Sequence, residues 1–209
     1  MTRFWSPGGA LVAGLVVVLF MASSAQAECG GVGDFDQAGN PLECDISGRT
    51  DSGWGFSVEV PVPLKGCRPD PHGILIPLSE RHGDRLMGCS GSYNALDREN
   101  VGDSAQSFIE YTLSDGLRYD SVQLISRKKI RLGGLPAERI VIRYREKGCL
   151  GEMILDYVLA LGPKPEEHPE SPSRYDYGVW LETSLDALQQ DRAVFERLLR
   201  SWRLEKPLL

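Results

Sequence analysis

Apolar and polar positions along the chain change period several times, and each change marks an element. Phe56, Val58 and Val60 alternate with Ser57 and Glu59, the two-residue period of a half-buried strand that Pro61 and Pro63 stop. Between His72 and Leu78 the run Ile74, Leu75, Ile76 reads as a second strand, and Arg85 to Tyr93 as a weaker third. The period then lengthens. Ala105, Phe108, Ile109 and Leu113 fall on one face of a helix that Asp103 caps and that Asp115 and Gly116 end. Further strands follow over Ser121 to Leu132, Ala137 to Arg145, Glu152 to Leu161 and Tyr177 to Thr183. In the second of these, Ile140, Ile142 and Tyr144 point to a core while Arg139, Arg143 and Arg145 point to solvent. Gly133-Gly134 and Lys147-Gly148 supply turns, which favours consecutive antiparallel pairing. The closing helix, capped by Asp186 or Ser184, carries an apolar stripe of Leu188, Phe195, Leu198, Leu199 and Trp202, with Arg192, Glu196, Arg197 and Arg200 outside it. Two amphipathic helices and a run of antiparallel strands define the α+β class, an antiparallel sheet with helices packed on it.

The amino terminus has a different character. Arg3 precedes an apolar run from Ala10 to Ala22, and Ser23-Ser24-Ala25-Gln26-Ala27 follows. This is the succession of a secretory signal peptide, with Ala25 and Ala27 fitting the peptidase pockets and Glu28 as the first mature residue. A helix of about 13 residues rises only about 20 Å, too short for a bilayer core of about 30 Å. Glu28 stands before Cys29 where a bacterial lipoprotein signal has a small residue, so lipid attachment there is not expected. The expected organisation is therefore a signal peptide over 1–27, an irregular Gly- and Asp-rich arm over 28–52 and a single domain over 53–209. The product is expected to be periplasmic or secreted, with no transmembrane segment after cleavage. The Pro-, Glu- and Ser-rich stretch from Gly162 to Arg174 reads as a long polar loop.

Charge narrows the choice of partner. The chain has 23 basic and 29 acidic side chains, a formal charge of −6 that falls to about −7 once Arg3 is removed. It shows no basic stripe interleaved with aromatics, so nucleic acid is not an expected partner. Against this acidic background, Arg127, Lys128, Lys129 and Arg131 form one basic cluster, a candidate surface for a protein or envelope partner.

Five cysteines, Cys29, Cys44, Cys67, Cys89 and Cys149, all lie beyond the signal, where an oxidising compartment pairs neighbouring thiols. The preferred reading joins Cys29 to Cys44 across the loose arm and Cys67 to Cys89 around a strand, leaving Cys149 as a free thiol. Each bridge would stabilise by about 2 to 4 kcal/mol where geometry allows. Spacing alone leaves open the pairing of Cys149 with Cys67 or Cys89.

Some of the local wording resembles the PsbP-like superfamily of small exported proteins. The residues that carry the resemblance are the amphipathic segment near Phe108 and the run Leu132-Gly133-Gly134-Leu135-Pro136-Ala137 leading into Arg139-Ile140-Val141-Ile142-Arg143-Tyr144. Leu181-Glu182-Thr183 before the closing helix, and Phe195, Leu198, Leu199, Ser201 and Trp202 within it, complete the set. The resemblance spans about Gly53 to Leu204. It implies an α/β/α sandwich used for binding or assembly and not for catalysis. The additional cysteines and the 28–52 arm depart from the family's usual pattern.

Catalytic chemistry finds little support. His72 and His82 lie near Cys67 and Cys89 at spacings from which a zinc site can be drawn, but oxidation removes the thiolates such a site needs. His168 stands in the polar loop. Gly88-Cys89-Ser90-Gly91 lacks the glycine spacing of a nucleophile elbow. Cys149 beside Lys147 would be a reactive thiol if unpaired, and Asp97 and Glu99 carry no sign of a shared buried site. No glycine loop for phosphates and no calcium loop is present. The expectation is an exported, soluble, non-enzymatic binding or assembly module of the envelope, with no catalytic, metal or cofactor residue assigned. The alternatives are a small exported hydrolase or thiol-dependent enzyme, and a periplasmic inhibitor or immunity-type protein.

Overall fold

The computed structural model describes residues 48–51, 55–60, 68–70, 73–78, 85–94, 100–116, 118–164 and 174–205. In chain order the elements are β1 (Gly48–Asp51), β2 (Phe56–Val60), β3 (Arg68–Asp70), β4 (Gly73–Pro77), β5 (Leu86–Asn94), α1 (Val101–Ser114), β6 (Tyr119–Leu132), β7 (Leu135–Glu146), β8 (Met153–Leu161), β9 (Arg174–Ser184), α2 (Leu188–Ser201) and β10 (Arg203–Leu204). Seven strands form one antiparallel sheet in the order β3-β4-β5-β9-β8-β7-β6, and β1-β2-β10 form a smaller one. This is the α+β class expected from the period changes.

Consecutive pairing holds from β6 to β9. The β6–β7 turn is two residues long, between the paired Leu132 and Leu135, and both Gly133 (φ 53°) and Gly134 (φ 91°) occupy the left-handed region that such a turn requires. Elsewhere the order departs from sequence. Helix α1 carries the chain from β5 to the far edge at β6, and β9 then returns to lie between β8 and β5.

Alternation along the strands builds a core on each face of the large sheet. On one face Ile76, Met87, Cys89, Val158, Tyr177, Val179 and Leu181 pack with Phe195 and Leu198 of α2, with Trp202 that ends it, and with Phe56 and Val58 of the small sheet. On the other, Ala105 and Ile109 of α1 meet Ile140, Ile142, Tyr144, Met153 and Leu159. The two faces of β7 thus serve different partners: Ala137 belongs to the first cluster and Ile140 to the second. The α2 face is not covered by helix alone, because β2 inserts its own buried side chains there.

Both helix starts differ from expectation. Asn100, not Asp103, caps α1, with its Oδ1 accepting from the Asp103 backbone N–H at 3.0 Å. Asp103 sits inside the first turn, where a carboxylate still favours the positive end of the helix dipole. The buried face of α1 follows Ala105, Ile109 and Thr112, whereas Leu113 is 44% exposed. The three-to-four spacing selects Thr112, whose hydroxyl is satisfied by the Phe108 carbonyl at 2.8 Å. Helix α2 begins after Ala187 with no side-chain cap. The expected stripe of α2 is found, with Phe195, Leu198 and Trp202 wholly buried. Strands β1, β3 and β10 carry no apolar alternation in the sequence; β1 falls within the stretch read as irregular and gains its structure by pairing with β2.

Trp202 ties the layers together. Its ring stacks on Phe56 at 5.8 Å, meets Tyr177 edge-on at 5.3 Å and lies under the β6–β7 turn. A Cβ placed on Gly133 would stand 2.4 Å from the Trp202 ring, whereas one on Gly134 meets open space. Gly133→Ala therefore combines left-handed strain with overpacking and is expected to cost about 3 kcal/mol, against about 1 kcal/mol for the strain alone in Gly134→Ala. Urea denaturation of the two variants measures the difference, and equal losses would contradict the packing of this turn on Trp202.

Candidate functional site

The side chains of β7 that face α2 are not all apolar. Arg139, expected in solvent, lies under the helix and donates to both carboxylate oxygens of Asp156 on the neighbouring β8, at 2.6 and 2.7 Å. Its remaining edge reaches Glu196 of α2 at 2.6 Å, and its guanidinium lies 5.7 Å from the centre of the Phe195 ring. Asp156 is fully buried and has a second cation, Arg192, at 3.5 Å. The hydrogen bonds to Asp156 hold the Arg139 guanidinium above the ordinary arginine range, against the opposing effect of burial. The physical reason for the correction is the carboxylate: a buried Asp156 requires a cation beside it, and Arg139 stands diagonally across the β7–β8 pair.

Beside this network, the β6–β7 turn and the end of α2 border an open surface concavity of about 570 Å³, around which Arg131, Arg200 and Arg203 are exposed. Ile130 and Leu199 give it apolar wall, and the turn contributes Gly133 and Gly134. The rest is charged: Arg131 from β6, Arg139 from β7, Arg200 from α2, Arg203 from β10 and one acid, Glu196. Arg131 donates through Nη1 to the Gly134 carbonyl at 2.7 Å. Arg203 donates through Nη1 to the carbonyls of Arg200 and Trp202 at 2.6 and 2.8 Å, satisfying acceptors left at the helix end. Glu196 is engaged by Arg139. Among the described residues, Arg131, Arg200 and Arg203 have no carboxylate partner.

The structure divides the basic cluster anticipated on β6. Arg127 turns to the α1 side, where it pairs with the buried Glu138 and donates to Gln106 Oε1 at 2.7 Å and to the Gly102 carbonyl at 2.8 Å, fastening α1 to the sheet. Lys128 and Lys129 are exposed on the edge strand, opposite Arg139 and Glu138 respectively. Arg131 alone of the four enters the pocket. Arg200 and Arg203 were visible as charges at and beyond the end of an amphipathic helix, but nothing in one dimension sets them beside Arg131.

The cysteine reading requires correction at two positions. Cys89 carries a free thiol in the interior of β5, fully buried between Met87 and the β9 strand, and the expected Cys67–Cys89 bridge is not made. Its place in the strand directs the sulfur into the apolar cluster, and burial pushes the thiol far above its ordinary range. Cys149, expected to be free, is disulfide-bonded. Its partner sulfur, and with it Cys29, Cys44 and Cys67, lies outside the described residues, as do His72, His82, His168, Asp97 and Glu99.

On the α1 face a second polar centre is half-buried. Glu182 of β9 accepts from the Tyr144 hydroxyl, and the Tyr119 ring meets Tyr144 edge-on at 5.0 Å. Burial raises the Glu182 carboxyl above its ordinary range, and the nearby Arg118 only partly opposes this.

No protein-family model matches the chain, and no curated protein matches it. Solved structures do. The chain is similar to LpqN of Mycobacterium tuberculosis, described as involved in cell envelope biogenesis, with 13% identity over 77% of this chain and 86% of LpqN and a TM-score of 0.53. It is also similar to the cyanobacterial PsbP protein CyanoP of Synechocystis, with 16% identity over 84% of this chain and 96% of that one and a TM-score of 0.49. These are likenesses of fold, and the resemblance to PsbP-like proteins is diffuse.

Two substitutions test the charged centres. Arg139→Met leaves Asp156 buried without its bidentate partner and is expected to cost about 3 to 5 kcal/mol, much of which Asp156→Leu in the same chain restores. Urea denaturation of the single and double variants reads this directly. For Glu182 the pH dependence has a definite sign. Folding raises this carboxyl's pKa, so its contribution is fully present below the unfolded carboxylate range of about 4.3 and is lost as pH rises through the higher native value. Glu182→Gln, which keeps an acceptor for Tyr144 and cannot ionise, is expected to raise Tm at pH 7 and to leave it unchanged near pH 4.

Proposed function

We propose that this chain is an exported, non-enzymatic binding module of the cell envelope, and that the arginine-lined pocket is its contact site. The observation that carries the reading is local charge inversion: a chain of formal charge −6 gathers Arg131, Arg200 and Arg203 around one concavity whose one lining acid, Glu196, is already paired with Arg139. Structural arginines in this protein look different. Arg85, Arg127 and Arg139 each sit on a buried carboxylate, whereas the pocket arginines are held by backbone carbonyls or stand unpaired. Beyond those backbone contacts, their charge is left for a partner.

Three further features support the compartment. The apolar run before Ala25 and Ala27 has the form of a cleaved export signal. The Cys149 disulfide belongs to an oxidising environment. The fold likeness to LpqN supports a role in the envelope. Among the described residues no helix is long and apolar enough to cross a membrane. We read the packing of α1 and α2 on separate core clusters as the α/β/α layering of PsbP-like proteins, with β2 inserted in the α2 layer.

Fractionation of a bacterial host expressing the full chain, followed by amino-terminal sequencing, tests the reading. The expected outcome is exported protein beginning at Glu28, in which maleimide labels Cys89 only after denaturation. Protein retained in the cytosol with Met1 intact would overturn the export part of the reading.

A further inference from the structure

Three guanidinium groups without an opposing carboxylate repel one another, and a pocket that gathers them is relieved by an anion. The negative groups on its lining are already engaged. Glu196 holds Arg139, and the carbonyls at the end of α2 are covered by Arg203. Arg131 and Arg203 are each anchored through Nη1, which orients their planes and leaves the other edge of each fork without a partner. The pocket takes arginines only, while the lysines of the same hairpin, Lys128 and Lys129, remain on the exposed edge. That division matters chemically, because a guanidinium fork binds two oxygens of one anion where an ammonium offers a point charge. Ile130 and Leu199 add a half-buried apolar patch to the lining beside the three exposed guanidinium groups.

We propose that this pocket is an oxyanion site for a phosphate-class group, supplied either as free inorganic phosphate or as the phosphate of a lipid headgroup, with Arg131, Arg200 and Arg203 as its ligands. Three forks exceed what one carboxylate satisfies and match a tetrahedral anion bearing more than two acceptor oxygens. A nucleic acid is not the source, since the rest of the acidic chain repels an extended polyanion. This inference rests on the reading of the pocket as a contact site, but not on the compartment.

The test uses the mature full chain and two probes. Inorganic phosphate is titrated while the arginine side-chain NMR signals and Tm are followed, and cosedimentation is measured with phosphatidylcholine vesicles with and without phosphatidylglycerol. The expected result is saturable binding in one arm or both, weakening with salt, and lost at least tenfold in the triple variant Arg131→Gln, Arg200→Gln, Arg203→Gln. A Lys128→Gln, Lys129→Gln variant is expected to stay within about twofold of wild type. Binding to phosphate identifies a soluble ligand, and binding to anionic vesicles alone identifies a headgroup; either supports the site. Absence of saturable binding in both arms, unchanged affinity in the triple variant, or equal loss in the lysine variant would overturn it. If the triple variant fails to fold, the corresponding arginine-to-lysine triple takes its place, expected to fold and to bind at least threefold more weakly because it keeps charge but loses the forks, and unchanged binding overturns the site. Export with no binding would defeat this inference alone, and cytosolic retention with binding would defeat only the compartment.

Discussion

Trp202 is the point at which the separate parts of this fold are held to one another. It ends helix α2, stacks on Phe56 from the small sheet, meets Tyr177 of the large sheet edge-on and supports the turn of the β6–β7 hairpin at Gly133. Burying so large an aromatic surface among four elements stabilises them jointly, and a glycine at the turn is what lets the hairpin approach closely enough. The same contact creates the pocket. With Gly133 seated on Trp202, Arg131 before the turn is carried to Arg200 and Arg203 on either side of that ring in sequence.

Charge fixes what the apolar core leaves free. An apolar helix stripe tolerates sliding along a sheet, whereas buried carboxylates do not. Asp156 takes Arg139 and Arg192, and Glu196 takes the outer edge of Arg139. Near the start of the same helix, Asp191 is buried and receives Arg85, with Nε to Oδ2 at 2.7 Å, and the Thr183 hydroxyl. These pairs sit along one helix and tie it to β7, β8, β9 and the residue before β5. Such ion pairs add little net stability over an apolar equivalent, but they penalise every misplaced register. They also explain the pocket's imbalance, since Arg139 and Arg192 balance Asp156 and Glu196 and leave Arg131, Arg200 and Arg203 over.

What could be read along the chain follows from neighbour relations in sequence. The alternation in β2 and β7, the glycine pair of the β6–β7 turn and the stripe of Phe195, Leu198 and Trp202 are local signals, because strand and helix periods are set by backbone geometry. The caps were less legible. Asn100 competes with Asp103 for the same helix start, and the winner depends on which backbone N–H lies three residues on. The short strands β1, β3 and β10 were invisible, since their structure comes from pairing with β2 and β4 and not from their own pattern.

Residues a few positions apart encode the α+β class and the consecutive hairpins from β6 to β9, and a simple count of side chains gives the acidic balance. Packing in three dimensions makes Cys89 a sealed thiol and Cys149 a bonded one, gives Arg139 to a buried carboxylate and sets Arg131 with Arg200 and Arg203. The reason is distance along the chain. Groups nearly 70 positions apart meet only when a glycine turn closes on a tryptophan, and no local pattern of apolar and polar residues encodes that meeting.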